Sequence, residues 1–471
     1  MLTRLEVDGF KNLIRFAVDF GPFNCMAGPN GVGKSNIFDA IGFLSLLADN
    51  TLMDAARQVR GELETADVRD LFWTDGEQMA DEFRIAAEMI VERSVFDDIG
   101  REVTATSSYL RYEVKIGYEE PDFDSPDVGG LFLLCENLHA YTKEEAKERL
   151  RFPHTQEFFD AVIHHQEGSP TTFITSRETD TNQHEILVYS NAPSSVRPQI
   201  VLATKMPRTI ISASGTWTSP TILAARRQME SWRLLAMEPT AMRRANSFQA
   251  EPYLTPQGGH VHATLYRMAK RAPKYDSYGE QMYSRVRSHV GRLLPVKRLS
   301  VDVDPVRQLL MTEVEQRFSG GKVPARSLSD GTLRFLTLGV LNEDPEFHGL
   351  VCIEEPENGI HPSKMEELVD LLKDMTVDTT FAPSWEDANL MRQVIIATHS
   401  PYLVQLLSHE DILFTLKPMR QGPKGRSANT IECWPLKGTW RDNNDGNAIS
   451  LGSLLAYLKH PVNAQIRWTG I

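Results

Sequence analysis

The sequence predicts an α/β fold, in which helices flank a mixed sheet that carries a phosphate-binding loop, with a β-rich and helical insertion between its two halves. Three observations indicate this fold. Residues 28–35 match the phosphate-loop motif and lie between an extended apolar segment, residues 16–26, and a helical pattern. Two later apolar runs, at residues 350–357 and 393–401, are typical of strands and end in polar side chains. Between these parts, residues 81–250 carry short strand patterns separated by acidic and Pro/Gly turns.

Length and composition bound the class of protein. The chain of 471 residues is long enough for a large core divided between two lobes, and its 41% hydrophobic and 24% charged residues are ordinary for a soluble protein. No apolar run reaches the roughly 18 residues of a membrane span. The four cysteines are scattered without a metal-ligand spacing, which fits a reducing cytoplasm. The net charge of −13 argues against wholesale coating of nucleic acid.

The phosphate loop, residues 28–35, reads Gly-Pro-Asn-Gly-Val-Gly-Lys-Ser. Its glycines let backbone N–H groups point at phosphate oxygens, and the start of the following helix adds a favourable dipole. Lys34 is expected to reach the β- and γ-phosphates, and the Ser35 hydroxyl to ligate Mg²⁺. A glycine-rich turn without a ligand is the alternative, which the strand ends downstream disfavour. The predicted nucleotide contacts are Asn30, Gly31, Gly33, Lys34, Ser35 and Asn36.

The run Leu-Val-Cys-Ile-Glu-Glu-Pro-Glu at residues 350–357 has the form of a Walker B strand, an apolar strand that ends in carboxylates. Glu354 is expected to hold the hydration shell of Mg²⁺, and Glu355 to act as the base that polarises the attacking water. Buried strands that end in exposed acids are common. The pattern therefore gains its weight from the phosphate loop that precedes it.

The run Gln-Val-Ile-Ile-Ala-Thr-His-Ser-Pro at residues 393–401 is a second strand pattern with a polar end. Pro401 suits the first position of a helix, with Ser400 as its N-cap. His399 then lies at the carboxyl edge of the sheet, where open α/β sheets bind their ligands, and we expect it to face the phosphates. An ordinary surface histidine is the alternative.

Residues 327–332, Ser-Leu-Ser-Asp-Gly-Thr, precede an amphipathic helical pattern. Ser329 is a natural N-cap for that helix. The cap is either purely structural, or it presents a hydroxyl, backbone N–H groups and the helix dipole to the γ-phosphate of a nucleotide held by another subunit. The place of the segment, about twenty residues before the Walker B strand, favours the second interpretation.

A basic window at residues 265–298 reverses the acidic balance of the chain. Two interpretations stay open for it. One is a contact surface for a nucleic-acid backbone, and the other is a solvated helix face paired with the chain's many acids. The basic residues of this window are Arg267, Lys270, Arg271, Lys274, Arg285, Arg287, Arg292, Lys297 and Arg298.

Together these elements resemble the ATP-binding-cassette (ABC) superfamily, and within it the branch of RecF-like, SMC-like and OLD-type proteins. The opening Gly-Phe-Lys-Asn-Leu at residues 9–13 is also similar to the first strand of that branch. The resemblance covers about residues 1–75 and 250–416. The matching text is the phosphate loop, Leu-Ser-Asp-Gly-Thr at 328–332, Glu-Glu-Pro-Glu-Asn-Gly-Ile-His-Pro at 354–362 and Thr-His-Ser-Pro at 398–401.

The resemblance implies an ABC-type ATPase head that binds ATP and Mg²⁺ and dimerises head to tail. By this resemblance, residues 327–332 correspond to the signature segment of such heads. Ser329 and Gly331 of one subunit would close over the nucleotide that Lys34 and Ser35 of the other subunit hold. Hydrolysis would use the Walker B base with the histidine, and a further nucleotide contact is implied at Lys11.

Three departures from the family pattern bear on function. The acid on the magnesium side is normally Asp and here is Glu354, which leaves open slow turnover. Gln78 is the nearest candidate for the glutamine of the Q-loop, with a surface residue in an acidic turn as an equal alternative. Asp330 replaces the glycine that transporter cassettes carry in the signature, which argues against a transporter subunit.

OLD-type relatives carry a Toprim nuclease after the head, but only about fifty residues follow residue 416, so any cleavage would come from a separate partner. Stand-alone ATPases of similar appearance occur in bacterial anti-phage systems such as Septu and PARIS. The leading prediction is an ATPase sensor that forms homodimers or higher homo-oligomers through ATP-sandwich interfaces and controls an effector nuclease. The alternatives are a RecF/SMC-like DNA-repair clamp that binds DNA directly and a nucleotide-switched scaffold with little turnover.

Four parts are predicted along the chain. Residues 1–80 and 251–416 form the two halves of the ATPase head, residues 81–250 the insertion, and residues 417–471 a C-terminal tail. No heptad pattern is sustained over several repeats, so a long coiled coil is not expected.

Overall fold

The structure is a computed structural model, and the residues it describes are 1–59, 66–121, 129–180, 183–189, 197–213, 219–251, 253–270, 278–317, 321–384, 389–422, 425, 427–443 and 446–459. Their strands are β1 (Leu2–Asp8), β2 (Phe16–Asp19), β3 (Phe23–Ala27), β4 (Glu82–Ile90), β5 (Ser94–Phe96), β6 (Glu102–Thr104), β7 (Tyr109–Glu119), β8 (Gly130–Ala140), β9 (Thr172–Glu178), β10 (His184–Val188), β11 (Gln199–Leu202), β12 (Arg233–Leu235), β13 (Asn246–Ser247), β14 (Val296–Asp304), β15 (Leu309–Gln316), β16 (Lys322–Pro324), β17 (Gly349–Glu354), β18 (Arg392–Thr398), β19 (Ile412–Leu416), β20 (Met419–Gln421), β21 (Ser427–Asn429) and β22 (Glu432–Pro435). Their α-helices are α1 (Lys34–Leu47), α2 (Leu52–Gln58), α3 (Lys143–Arg149), α4 (Gln156–Val162), α5 (Ile210–Ala213), α6 (Pro220–Glu230), α7 (Pro239–Arg243), α8 (Val261–Lys270), α9 (Tyr278–Gly291), α10 (Asp330–Glu343), α11 (Met365–Asp374), α12 (Pro401–Gln405) and α13 (Leu451–Lys459).

The larger sheet is antiparallel and has eight strands in the order β11-β10-β9-β8-β7-β4-β1-β2. Its strands alternate between a covered and an open face. Along β7, Tyr112, Val114 and Ile116 are buried, whereas Glu113 and Lys115 between them are half-buried. This period of two is the one that a strand shows when one face of its sheet covers a core, and here that core includes α1.

The second sheet has six strands in the order β12-β17-β18-β3-β19-β22 and carries the predicted site. Neighbouring strands are parallel except β22, which runs antiparallel to β19. Every residue of β3 and β18 is buried. Parallel strands covered on both faces have such near-continuous apolar sequences, which explains the unbroken runs in the sequence.

A second hydrophobic core lies against the six-stranded sheet. It takes apolar side chains from α8, α9, α10 and α11 together with β17 and β18. A smaller sheet in the order β13-β15-β14, with β16 beside β15, precedes α10 in the chain. The helix that follows the signature segment is therefore buried against the strands that end at the site.

The predicted α/β class, with a mixed sheet flanked by helices and a β-rich part, is confirmed. The longest helices among the described residues, α1, α9 and α10, have 14 residues each, so the described part of the chain contains no long coiled coil. No described helix is long and apolar enough to cross a membrane.

The division into four parts stays a prediction. The structure shows that the sheets cross the predicted boundaries. Strand β4, assigned to the insertion, pairs with β1 over six registered positions from Leu2 to Asp8. Strand β12, also assigned to the insertion, pairs with β17 in the second sheet. The tail strand β22 pairs with β19 of the head. The insertion and the head thus share their sheets.

Candidate nucleotide-binding site

The site forms where three adjacent parallel strands end at one edge of the six-stranded sheet. Glu354 at the end of β17 is in register with Ala397 of β18, and Thr398 is in register with Ala27 of β3. The backbone N–H of Gly28, the first residue of the phosphate loop, donates to the Thr398 carbonyl at 3.1 Å. The Walker B strand, the histidine strand and the phosphate loop therefore meet, as the strand order of an open α/β sheet predicts.

The phosphate loop turns through two glycines before α1 begins at Lys34. Gly31 and Gly33 have φ angles of 77° and 109°, in the left-handed region that glycine adopts without strain. A Cβ atom on Gly33 would lie 2.3 Å from the Asn12 side chain, so only glycine fits there. Asn30 is exposed at the rim of the loop, next to Gly31.

Lys34 is 8% exposed, and its Nζ donates to the carbonyls of Gly28 and Pro29 at 2.6 and 2.9 Å. Burial lowers the pKa of Lys34, and the nearby Glu355 carboxylate opposes that effect. A buried ammonium whose hydrogen-bond partners are neutral carbonyls suits a phosphate, because the anion would supply the missing counter-charge. The loop thus has the charge and the geometry that a nucleotide phosphate requires.

Asn12 joins the turn after β1 to the phosphate loop. Its Nδ2 donates to the Val32 carbonyl at 3.1 Å, and its Oδ1 accepts from Asn36 Nδ2 at 2.8 Å. Lys11 next to it has its ammonium 2.8 Å from the buried Asp39 carboxylate. The structure therefore places Lys11 in an ion pair beside the loop, and the predicted nucleotide contact of Lys11 stays a prediction.

Glu355 is held in place from several sides. Its backbone lies in the left-handed region at φ 45°, which costs a non-glycine residue free energy and is common at functional sites. His399 Nδ1 lies 2.8 Å from Glu355 Oε1, and Asn358 Nδ2 donates to Oε2 at 2.7 Å. An ionised carboxylate can only accept, so in the state with Glu355 ionised the donor of this bond is His399 Nδ1. The predicted base and the predicted histidine are thus brought together and oriented.

The oxygen donors of Ser35 and Glu354 fit a hard cation such as Mg²⁺. Ser35 is half-buried at the start of α1, and Glu354 is half-buried at the end of β17. Mg²⁺ prefers oxygen ligands and is commonly held by one or two carboxylates together with substrate phosphates and water. The described residues contain no group of three or more His, Cys, Asp or Glu side chains that could hold a metal. A Mg²⁺ ion at Ser35 and Glu354 would therefore need phosphate and water oxygens as further ligands.

The predicted signature residues make their contacts away from the phosphate loop of their own chain. Ser329 Oγ caps α10 by accepting from Thr332 N at 3.3 Å. Asp330 forms an ion pair with Arg243, whose guanidinium also donates to the Leu328 carbonyl at 3.0 Å. A Cβ atom on Gly331 would lie 2.5 Å from a carbonyl oxygen of the turn that follows the Walker B strand.

Gln78 does not join the site. It is exposed, and its backbone N–H closes a short turn by donating to Asp75 Oδ1 at 2.8 Å. The surface interpretation therefore fits the structure, and the described residues do not identify a Q-loop glutamine.

Acids pair with four of the seven basic residues of this window that the structure describes. Arg267 pairs with Asp344 and Glu346, and Arg292 pairs with Asp374. Two further ion pairs in this window join Lys297 to Glu315 and Arg285 to Glu343. Arg271 and Lys274 lie outside the described residues. Among those that are described, these pairs favour the solvated, charge-paired interpretation.

Sequence reasoning missed three side chains of the site. Asn12 supports the phosphate loop, and Thr398 and Glu357 bond to each other under the Walker B turn. The sequence carried a signal for each, since Asn12 follows Lys11 and the other two stand beside predicted site residues. Their partners depend on long-range packing, which no local pattern specifies.

The chain matches the family model described as "AAA domain, putative AbiEii toxin, Type IV TA system" over residues 23–177 and 278–405. It is 33% identical over 76 residues to the DNA replication and repair protein RecF of Phocaeicola vulgatus, which is 16% of this chain and 20% of that protein. It is 44% identical over 46 residues to the RecF of Marinobacter nauticus, or 10% of this chain and 12% of that protein. These matches span a fifth or less of the curated relatives.

Two solved structures that align with more than nine tenths of this chain are SMC heads. The Smc head bound to the C-terminal winged-helix domain of ScpA is 13% identical, with 91% of this chain and 97% of that chain covered and a TM-score of 0.42. The SMC head domain from Thermotoga maritima is 11% identical, with coverages of 93% and 99% and a TM-score of 0.35.

Proposed function

The chain belongs to the family described as "AAA domain, putative AbiEii toxin, Type IV TA system", and from this membership we propose that it binds ATP with Mg²⁺ and hydrolyses it to ADP and phosphate. The observation that carries the proposal is the hydrogen bond between Glu355 and His399, at the ends of strands that adjoin the phosphate loop. A carboxylate held by a second polar group beside a phosphate site has the geometry of a general base.

Each group of the site has a role in this reaction. Lys34 and the backbone N–H groups after Gly31 bind the β- and γ-phosphates of the substrate. Glu355 accepts a proton from the attacking water, and His399 keeps the carboxylate oriented. When bound by Ser35 and Glu354, Mg²⁺ neutralises charge on the phosphates.

We further propose that ATP joins two or more copies of the chain through sandwich interfaces. The support is the placement of Ser329 and Gly331, whose contacts are with Thr332 and the turn after the Walker B strand. Ser329 is exposed, whereas Gly331 is buried against that turn. A nucleotide bound by a second copy would therefore meet Ser329 and the dipole at the start of α10, which favours an anion.

The test combines mass by light scattering, with and without ATP and Mg²⁺, with phosphate release from the same samples. Glu355→Gln keeps the shape of the side chain but cannot accept the proton, so we expect it to bind ATP, to assemble and to release phosphate at least about 100-fold more slowly. Glu366→Gln, at an exposed position of α11, removes the same charge outside the site and should behave as wild type. Equal phosphate release by both variants would refute the assignment of the base.

The biological role that we propose is control of a separate effector nuclease in an anti-phage system. The family description names a putative toxin of a toxin–antitoxin system, and a system of two components supports the existence of a separate partner protein. Purification of the tagged chain from its native cells with Glu355→Gln, which holds the ATP state, would test it. A co-purifying protein with ATP-dependent nuclease activity supports the role, and a chain that purifies alone in both nucleotide states contradicts it.

A RecF-like clamp that binds DNA directly is the second candidate, because two curated relatives with short matches to this chain are RecF proteins. The ion pairs of the basic window, and those of Arg226 and Arg227 with Asp98 and Glu230, work against it. Fluorescence anisotropy with gapped DNA at about 50 and 200 mM salt distinguishes the two, since a clamp with many phosphate contacts loses affinity steeply with salt. ATP-driven assembly without phosphate release would instead indicate a nucleotide-switched scaffold.

A further inference from the structure

Glu357 is a buried acid that the proposed reaction does not use. It lies in the turn after the Walker B strand and is 6% exposed. One carboxylate oxygen, Oε1, accepts from the hydroxyl of Thr398, and the other is buried without a hydrogen-bond partner among the described residues. Burial raises the pKa of Glu357. Burying a carboxyl group costs free energy, and its side-chain partner here is the Thr398 hydroxyl.

That contact leads to the centre of the site. Thr398 is the last residue of β18 and is fully buried. Its hydroxyl donates to Glu357 and accepts from the backbone N–H of Ser400 at 2.9 Å. Its carbonyl accepts from Gly28 of the phosphate loop at 3.1 Å. One threonine therefore ties together the Walker B turn, the phosphate loop and the start of α12.

His399 stands between the two residues that this network fixes. With Thr398 and Ser400 both bonded, the direction of the His399 side chain from the backbone is set. In that direction Nδ1 reaches Glu355 Oε1 at 2.8 Å. The backbone that carries His399 is therefore held in part by the Thr398 hydroxyl.

We propose that Glu357 is a positioning residue which, through the Thr398 hydroxyl, holds the turn that carries His399 and so sets the Glu355–His399 hydrogen bond. The inference deepens the proposed ATP hydrolysis and rests on it. Glu357 touches neither the substrate nor the attacking water in this scheme. Its role needs a hydrogen-bond acceptor at this place, and a negative charge is not required.

Two pairs of variants separate this role from a general effect on packing. Thr398→Val removes the hydroxyl and keeps the volume, whereas Thr398→Ser keeps the hydroxyl. Glu357→Leu removes the acceptor, whereas Glu357→Gln keeps one. Thr337→Val is the matched control, because Thr337 is a fully buried threonine of α10 whose hydroxyl donates only to a methionine sulfur among its described contacts.

We expect Thr398→Val and Glu357→Leu each to lower kcat by about 10- to 100-fold with KM within about 2-fold, because small misplacement of a catalytic group has effects of that size. Thr398→Ser, Glu357→Gln and Thr337→Val should stay within about 5-fold of wild type. The double variant Thr398→Val, Glu357→Leu should be no slower than Thr398→Val alone, since Glu357 acts only through the Thr398 hydroxyl that this variant already lacks.

A second measurement does not depend on turnover. In ¹⁵N-histidine NMR spectra, with the His399 signal identified by its loss in His399→Asn, the hydrogen-bonded Nδ1 signal should disappear in Thr398→Val and persist in Thr398→Ser and Thr337→Val. If wild type binds ATP but releases no phosphate, the proposed hydrolysis is wrong. The Nδ1 signal of His399 still tests whether the Thr398 hydroxyl sets the Glu355–His399 hydrogen bond. A persistent His399 signal in Thr398→Val, or additive losses in the double variant, would overturn the inference.

Discussion

Gly331 and Gly359 touch so closely that a Cβ atom on Gly331 would lie 2.5 Å from the Gly359 carbonyl oxygen. Gly359 follows Asn358, which donates to Glu355 Oε2 at 2.7 Å. The signature segment of a chain therefore rests on the turn that orients the predicted base of the same chain. A change in the signature segment is therefore expected to displace the turn that carries Asn358.

Gly331→Ala should damage this contact. The new methyl group meets a backbone carbonyl, which cannot move aside as a flexible side chain would, so we expect a loss of about 1–3 kcal/mol in the free energy of unfolding. Urea unfolding measures this loss, and light scattering should show weaker ATP-driven assembly. Gly291→Ala, at the end of α9 with open space around the new atom, is the control and should be neutral or slightly stabilising. Equal stability of the two variants would contradict the contact.

Arg243→Ala should weaken assembly without weakening the binding of ATP to one chain. Arg243 fixes the signature segment through Asp330 and the Leu328 carbonyl, and it lies outside the phosphate loop. We expect the ATP concentration needed for half-maximal assembly to rise by about 3- to 10-fold, as the loss of a charge-assisted hydrogen bond predicts.

Arg244 supplies the control for that experiment. It is the exposed neighbour of Arg243, and Arg244→Ala removes the same charge without a described side-chain contact. Assembly titrations by light scattering should therefore separate the two variants. If a basic DNA-binding groove were the function of this region, both variants would weaken DNA binding to a similar degree, and assembly would not distinguish them.

The parts of this site that sequence predicted are those fixed by local geometry or by one general rule of topology. Gly33, Lys34 and the start of α1 follow from a motif within eight consecutive residues. The rule that the carboxyl ends of parallel strands form the ligand edge of a sheet predicts that His399 faces the phosphates. Its partnership with Glu355 is implied only by the family resemblance. The pairing of β4 with β1 could not be predicted, since alternation identifies a strand and not its partner.

Asn12→Ala should weaken nucleotide binding more than it slows turnover. Its side chain ties the phosphate loop to the turn after β1 through Val32 and Asn36, and it touches neither the predicted base nor the histidine. Loss of two hydrogen bonds of ordinary net strength corresponds to a rise of about 5- to 50-fold in the Kd for ATP. Titration with a fluorescent ATP analogue measures Kd, and Asn429→Ala, an exposed asparagine of β21, is the control. A Kd unchanged from wild type would show that the loop holds its shape without Asn12.

The free energy of unfolding should fall as the pH rises, because of Glu136, a buried carboxyl group remote from the site. Glu136 in β8 is fully buried and accepts from Ile210 N at 2.6 Å, Ile211 N at 3.0 Å and the Tyr112 hydroxyl at 3.2 Å. Burial outweighs these bonds and raises the pKa of Glu136 from 4.5 to about 7. Because the folded state holds the proton more tightly, its contribution is fully present below about pH 4.5 and is lost as the pH rises to about 7.

Glu136→Gln cannot titrate and isolates this contribution. The free energy of unfolding of wild type minus that of the variant should fall by about 2–3 kcal/mol between about pH 5 and pH 8, from 1.36 kcal/mol per unit of pKa difference. Any hydrogen bond that the amide fails to replace shifts this difference equally at both pH values, so the change with pH is the informative quantity. Urea unfolding at the two pH values measures it. A difference that stays constant would mean that Glu136 keeps an ordinary pKa, and that the N–H groups at the start of α5 compensate for its burial.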